Sequence, residues 1–448
     1  MLAGLVLGLI ATPLVMRQGA SGPADDAVGR VLRSDLADAP TDPVARFYRV
    51  RGYHPLWITG GLVRPEARDL VATLKTAAGD GLNPDAYAPD HLDAVISSAK
   101  DARSEAVAEL ALTRAYAAYV VDLHRPARAA ALQFVDPSLK SSPTDIATVL
   151  QDAARAPSLT EAMADAQRMN PVYEALRQAL DERLANGDQG PEARLIALNL
   201  ERARALPPEL GDRYLLVNPA RETLWLFDHD RMAGSMRVVV GRRDLPTPAM
   251  AGVIRYALAN PYWNVPPDLV RDRLAPAVLR HGTRYLLQHH FQVLSDASAT
   301  ATPLDPDQVD WAAVAAGHQP PRVRQEPGPG NMMGQVKFML PNPLGVYLHD
   351  TSERSLFHDA SRFDSAGCVR VQYPRWLANW LLQRTVRLDQ AKAPDERLDV
   401  PRPVPVYILY LTAQPTAKGL TFAHDIYQRN EALADEMAAM PDRLKLGQ

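Results

Sequence analysis

Apolar residues recur at three- and four-residue spacing through the first half of the chain, whereas the second half breaks into short runs of β-branched and aromatic residues. ALTRAYAAYVVDLHRPARAAAL and SLTEAMADAQRMNPVYEALRQALDERLANG carry the helical spacing, with Gly81-Leu82-Asn83-Pro84 and Pro137 as breakers between helices. The character changes near Leu206-Pro207-Pro208. RYLLVN, ETLWLFD and SMRVVVG then read as strands, separated by turn clusters at Asn218-Pro219 and Asp228-His229-Asp230. Further strands are expected at Val253 to Leu258, Val336 to Leu340, Val346 to Leu348 and Val404 to Leu411. A helix, PRWLANWLLQ, opens on Pro374. The pattern predicts an α+β chain, with a helical domain over 40–205, a β-rich domain over 211–415 and a helical tail over 416–448. Between Pro266 and Gly330 lies an insertion in which DLVRDRLAPAVLRHG reads as helix and the remainder as loop. A segment of that length suggests a cap over a site, at about 267–330.

Composition refines this picture only slightly. A chain of 448 residues with 47% hydrophobic and 23% charged residues is globular and long enough for two or three domains. A net charge of -3 gives no general attraction to nucleic acid. The high proline count, 38 against 25 glycines, points to stiff connections. Residues Leu2 to Val15 are apolar or small and Arg17 is the first charge, so 1–25 reads as an export signal or a short membrane anchor.

The chain has one cysteine, Cys368, which excludes an internal disulfide, a multi-thiolate zinc site and an Fe–S cluster held by this chain alone. It lies in GVYLHDTSERSLFHDASRFDSAGCVRV. His349 closes an expected strand nineteen residues before it, a place suited to a rigid general base. Ser365, Ala366 and Gly367 are small and permit a tight turn with backbone N–H groups free for an oxyanion. Arg370 follows by two and would favour the thiolate. The competing reading is a buried cysteine on a core strand with Arg370 on its outer face. His358 competes with His349 as base, but sits in an expected polar loop. His54 and His124 are isolated, and His281, His289 and His290 in the insertion match no zinc spacing, so no metal and no cofactor is expected.

The segment resembles the signature of the L,D-transpeptidase (YkuD-type) catalytic domain: a His, a spacer of roughly fifteen residues, then Ser/Thr-His-Gly-Cys. Here fifteen residues separate His349 from Ser365. LNLERARALP, RYLLVNPA, VVVGRRDLPTP, NPYWNVP, PGPGNMMGQVKFMLPN and VYLHDTSERSLF are similar in order to the long, YcbB-type branch of Gram-negative bacteria. RFYRVRGYHPLW and AAGDGLNPDAY resemble its scaffold region. Two departures stand out: Ala366 occupies the place of the second motif histidine, and no small peptidoglycan-binding module precedes LNLER. The resemblance implies a Cys368 nucleophile with His349 as base, and an oxyanion site lined by Gly367, Cys368 and Ala366, beside Ser365. It assigns Arg370 and Tyr347 to substrate binding or pocket shape. Asp350 follows His349 directly, and its backbone carbonyl is the alternative to its carboxylate as orienter of the imidazole. Trp263 is expected in the core. The implied reaction joins peptidoglycan stem peptides, a donor tetrapeptide and an acceptor diaminopimelate, into 3-3 crosslinks through a thioester. This would take place in the periplasm, with a membrane tether at the N-terminus as a second reading. The same thioester could instead be resolved by water, by a D-amino acid or in attaching or releasing a lipoprotein. A decayed wall-binding protein is the non-enzymatic alternative.

Overall fold

The computed structural model describes residues 23–140, 144–296, 298, 300–416 and 419–446. The apolar run Leu2 to Val15, read above as a signal or anchor, lies outside them. No helix among the described residues is long and apolar enough to cross a membrane. The chain is α+β, and its described residues divide into two compact units, the first within 23–77, 83–123 and 144–167 and the second within 78–82, 124–140 and 168–446.

The first unit is helical, and its proline-rich punctuation has a local cause. Asp42 accepts a hydrogen bond from the Val44 N–H at 2.9 Å and Pro43 fills the first helical position of Pro43–Val50, so the helix start is capped and preset. Its centre is a buried carboxylate. Glu109, on the long helix Ala102–His124, accepts from the N–H groups of Leu56 (2.5 Å) and Trp57 (2.8 Å) and from the Tyr48 hydroxyl (2.5 Å). This ties the RFYRVRGYHPLW segment together. It is a structural network that the separate runs of sequence do not reveal, because its members lie more than fifty residues apart.

The second unit is built on a ten-stranded sheet. Its strands are β1 (Gln133–Phe134), β2 (Arg213–Asn218), β3 (Thr223–Asp228), β4 (Arg231–Gly241), β5 (Met250–Ala259), β6 (Val336–Met339), β7 (Leu348–His349), β8 (Phe363–Ser365), β9 (Val369–Val371) and β10 (Glu396–Ile408). The order runs β6-β7-β9-β4-β3-β2-β10-β5, and β6 also pairs β5, which closes the sheet on itself. β8 adds to β4 and β1 to β5. Inward positions are apolar: Val336, Phe338, Leu348, Val369, Val238, Val240 and Ile254 are fully buried, clustered with Leu377, Ala378, Leu381 and Leu382 of the helix Pro374–Leu382. The expected strands have counterparts, some longer by a few residues. The strand expected at Val346 to Leu348 is only Leu348–His349, and the one expected at Val404 to Leu411 starts earlier, at Glu396, and ends at Ile408; Pro374 stands in the first turn of its helix.

Three expectations change. The helices Pro171–Ala185 and Pro191–Ala203 pack in the sheet-bearing unit, not in a helical domain reaching 205. The LNLER segment explains why: Asn199 donates to Thr412 Oγ1 (2.9 Å) and accepts from its N–H (2.7 Å), and Glu201 accepts from the Ala127 N–H (2.6 Å). The insertion is more than loop. It carries strands Phe291–Leu294, Pro303–Leu304 and Arg322–Gln325, the last pairing with Trp263–Asn264 just before the insertion, and an apolar cluster around Val270, Phe291, Val293, Trp311 and Val323. Strands of two to four residues are too short for their periodicity to show. Trp263 packs, half-buried, against that cluster. The tail opens with a hairpin, Ala413–Thr416 with Gly419–Phe422, and becomes helical only at Asn430–Ala439.

Glu201 also lies against Arg204 (3.0 Å) and Arg443 (3.1 Å), with all three side chains essentially inaccessible. Replacing Glu201 by Ala removes the carboxylate that two buried guanidinium groups share and is expected to cost about 3–5 kcal/mol. Replacing Glu192, whose partner Arg183 is solvent-accessible, should cost less than about 1 kcal/mol. Denaturant titration of both variants checks this, and equal losses would contradict it.

Candidate active site

The adjacent strands β6, β7 and β9 bring the sequence candidates together. β6 pairs β7 with Lys337 opposite His349, and β7 pairs β9 in parallel with Leu348 beside Val369 and His349 beside Arg370. One step earlier in that register Tyr347 stands beside Cys368, and the Val369 N–H donates to the Tyr347 carbonyl at 2.9 Å. Side chains alternate across a sheet. Val336, Phe338, Leu348, Val369 and Val371 therefore fill the core, and Lys337, Tyr347, His349, Cys368 and Arg370 share the opposite face.

The turn before β9 is fixed by its own small residues. The buried Ser365 hydroxyl donates to the Cys368 carbonyl (2.6 Å) and accepts from the Gly367 N–H (3.2 Å). Gly367 has φ +104°, a conformation that costs a glycine little. Its carbonyl accepts from the Thr247 hydroxyl (2.9 Å), which in turn accepts from the Gly241 N–H (2.9 Å). The Arg242 N–H donates to the Ser365 carbonyl (2.9 Å), so the RRDLPT segment clamps the turn from behind. Ala366 is exposed. The Gly367 N–H expected at an oxyanion site is thus occupied by Ser365, whereas the Cys368 N–H has no partner among the described residues.

Cys368 is partly exposed, with its Sγ 3.5 Å from the Gly345 carbonyl. Burial pushes its thiol above the ordinary value, and the Tyr347 N–H, the Lys337 ammonium and the Arg370 guanidinium oppose this. His349 is buried, and its Nδ1 is 2.5 Å from the Asp350 carbonyl oxygen. A carbonyl can only accept, so Nδ1 carries the proton and Nε2 is left as the basic nitrogen. Burial and then the Arg370 charge, with Lys337 adding to them, push the imidazole down to about 3, against the pull of the carbonyl. The Asp350 carboxylate points elsewhere: it accepts from the N–H groups of Gln335 (2.8 Å) and Thr351 (2.6 Å) and pairs with Arg354. Gly334, at φ +58°, lies so close to this carboxylate that a side chain there would collide with it.

The remaining candidates separate clearly. Arg370 is buried and ion-paired to Glu353 (2.5 Å), with Asp364 at 3.7 Å. Tyr347 is half-buried beneath Lys337, whose Nζ is 3.6 Å from the ring centroid. His358 is exposed on the turn Arg354–His358 and is not among the groups acting on Cys368. In the insertion His281 stacks on Tyr285 and His289 lies tilted against the same ring. Sequence reasoning missed Lys337 and Thr247. Lys337 had a legible signal, a lone cation inside the apolar run VKFML.

Residues 212–408 match the family model of the L,D-transpeptidase catalytic domain, and residues 42–180 match that of a scaffold domain. A Haemophilus influenzae protein assigned to the L,D-transpeptidases is 28% identical over 264 residues, 58% of this chain and 52% of that protein. The chain spans about half the length of that relative. Solved L,D-transpeptidases from Enterococcus faecium and Mycobacterium smegmatis are each 12% identical, cover 46% and 44% of this chain and 52% and 58% of theirs, and superpose with TM-scores of 0.22 and 0.23.

With its folded-state pKa far below the ordinary value, His349 should remain neutral and Nδ1-protonated throughout pH 5–8. Nitrogen-15 NMR of labelled imidazoles reads this directly. A His349 titration centred near the free-histidine value would contradict it.

Proposed function

We propose that this chain, a member of the L,D-transpeptidase family through residues 212–408, forms a thioester on Cys368 and passes it to an amine to make 3-3 peptidoglycan crosslinks. The observation that carries the reading is the His349–Asp350 carbonyl bond, which leaves a neutral Nε2 acceptor on the same sheet face as the only thiol. Attack of the sulfur on the carbonyl of the donor's third residue transfers the thiol proton to Nε2. The transient imidazolium, disfavoured by Arg370 and Lys337, is a strong acid and gives that proton to the departing D-alanine amine. The acceptor's side-chain amine then attacks the thioester, Nε2 takes its proton, and the proton returns to the leaving thiolate.

The partly free backbone narrows the oxyanion donor to the Cys368 N–H, because the Gly367 N–H is held by Ser365. An exposed Ala366 fits a position that contributes backbone shape more than a side chain, which accommodates its departure from the family's histidine. Arg370 is better suited to charge and turn rigidity than to a stem carboxylate, since Glu353 and Asp364 already engage it. On this reading the protein works outside the cytoplasmic membrane, in the periplasm.

Purified protein and its Cys368→Ala variant, incubated with disaccharide-tetrapeptides, test this by mass spectrometry. Dimers formed by the wild type and lost in the variant are expected. Tripeptide monomers alone would replace the transferase with a hydrolase. Absence of every product together with absence of a carbapenem adduct would overturn the enzyme reading.

A further inference from the structure

Lys337 lies in the segment PGPGNMMGQVKFMLPN, whose glycines and Asn331 have structural roles but whose lysine is left unexplained by them. It interrupts an alternation that otherwise buries apolar residues, with Val336 and Phe338 in the core on either side. A half-buried ammonium in a strand is costly unless something nearby benefits from it. Its ion-pair situation is unusual. Arg370, the other cation of the site, is offset by Glu353 and Asp364, whereas Lys337 makes no ion pair among the described residues and rests on the Tyr347 ring at 3.6 Å.

We propose that Lys337 is a positioning residue whose ammonium, held against the Tyr347 ring beside Cys368, stabilises negative charge on the sulfur, so that the thiolate forms against lysine and not against an imidazolium. The inference rests on Cys368 being the nucleophile. Each element around the sulfur contributes a group. β6 supplies Lys337, β7 supplies Tyr347 and His349, and β9 supplies Arg370 with its two carboxylates. β5 supplies Tyr256, and Asp395, just ahead of β10, acts on Lys337 from farther off. Of these, the Lys337 and Arg370 charges lower the thiol's pKa, and the Lys337 charge is the one not already spent on a carboxylate. His349, kept neutral first by burial and then by the same two cations, is not a resting counter-ion. A resting thiolate–imidazolium pair of the kind that activates other cysteine nucleophiles is thereby replaced by division of labour: a fixed cation for the charge on sulfur, and an imidazole neutral at rest that carries the thiol proton only transiently during attack.

Cys368 is the only thiol, so alkylation by iodoacetamide reports it without background. The alkylation rate of the full chain, followed from pH 5 to 10, gives the thiolate midpoint independently of any transpeptidase product. The sign is fixed: removing a cation raises the midpoint. Lys337→Met is expected to raise it by about one pH unit, making alkylation roughly ten-fold slower at a given pH below the midpoint. Lys337→Arg should restore most of the wild-type profile, and His349→Gln should leave the midpoint nearly unmoved. Lys337→Gln provides the same reading should the methionine variant fail to fold, with circular dichroism as the check. A midpoint unchanged in a folded Lys337→Met or Lys337→Gln chain would overturn the proposal. So would a larger rise in His349→Gln than in the lysine variants. Loss of crosslinking activity with an intact alkylation shift would instead fault the transferase reading alone.

Discussion

The hydrogen bond between His349 Nδ1 and the carbonyl of its own neighbour, Asp350, is the constraint on which the rest of the site depends. A base that must take a proton at one nitrogen needs the other nitrogen committed, and a backbone carbonyl commits it without adding charge. The surrounding structure serves to hold that carbonyl still. The Asp350 carboxylate is turned away and anchored by the N–H groups of Gln335 and Thr351 and by Arg354. Gly334 supplies the room the carboxylate needs. β7 is only two residues long, yet it is paired on both sides, to β6 and to β9, so the imidazole is fixed in a closed sheet and not in a loop.

Electrostatics follow from that choice. A carboxylate partner would have raised the imidazole's proton affinity and invited a stable imidazolium. With a carbonyl partner, deep burial and two neighbouring cations, the imidazole stays neutral and the cations are left to act on the sulfur. The turn that carries Cys368 is rigid for a related reason. Ser365, Thr247 and the Arg242 N–H satisfy its backbone groups from inside the fold, and the Cys368 N–H is left without a partner among the described residues.

Much of this was legible in the sequence because it is local. The strands RYLLVN and ETLWLFD, the helix opening at Pro374, the placing of His349 and Cys368 on adjacent strand ends across a returning loop, and the Asp350 carbonyl as partner of the imidazole all follow from short-range chemistry. What was not legible is long-range. The Glu109 network, the Glu201–Arg443 lock and the Thr247 clamp each join residues from distant runs, and no spacing advertises them. The insertion hid its sheet because its strands are two to four residues long. The free N–H at Gly367 was expected from the small residues of the turn, but the hydroxyl of Ser365, itself one of those residues, occupies it.

The central claim is a covalent intermediate on one sulfur. Wild-type protein mixed with a tetrapeptide donor, quenched in acid and digested, should show the FDSAGCVR peptide heavier by the donor less its terminal D-alanine. Crosslinked product formed without that adduct, or with an adduct on any other residue, would contradict the account.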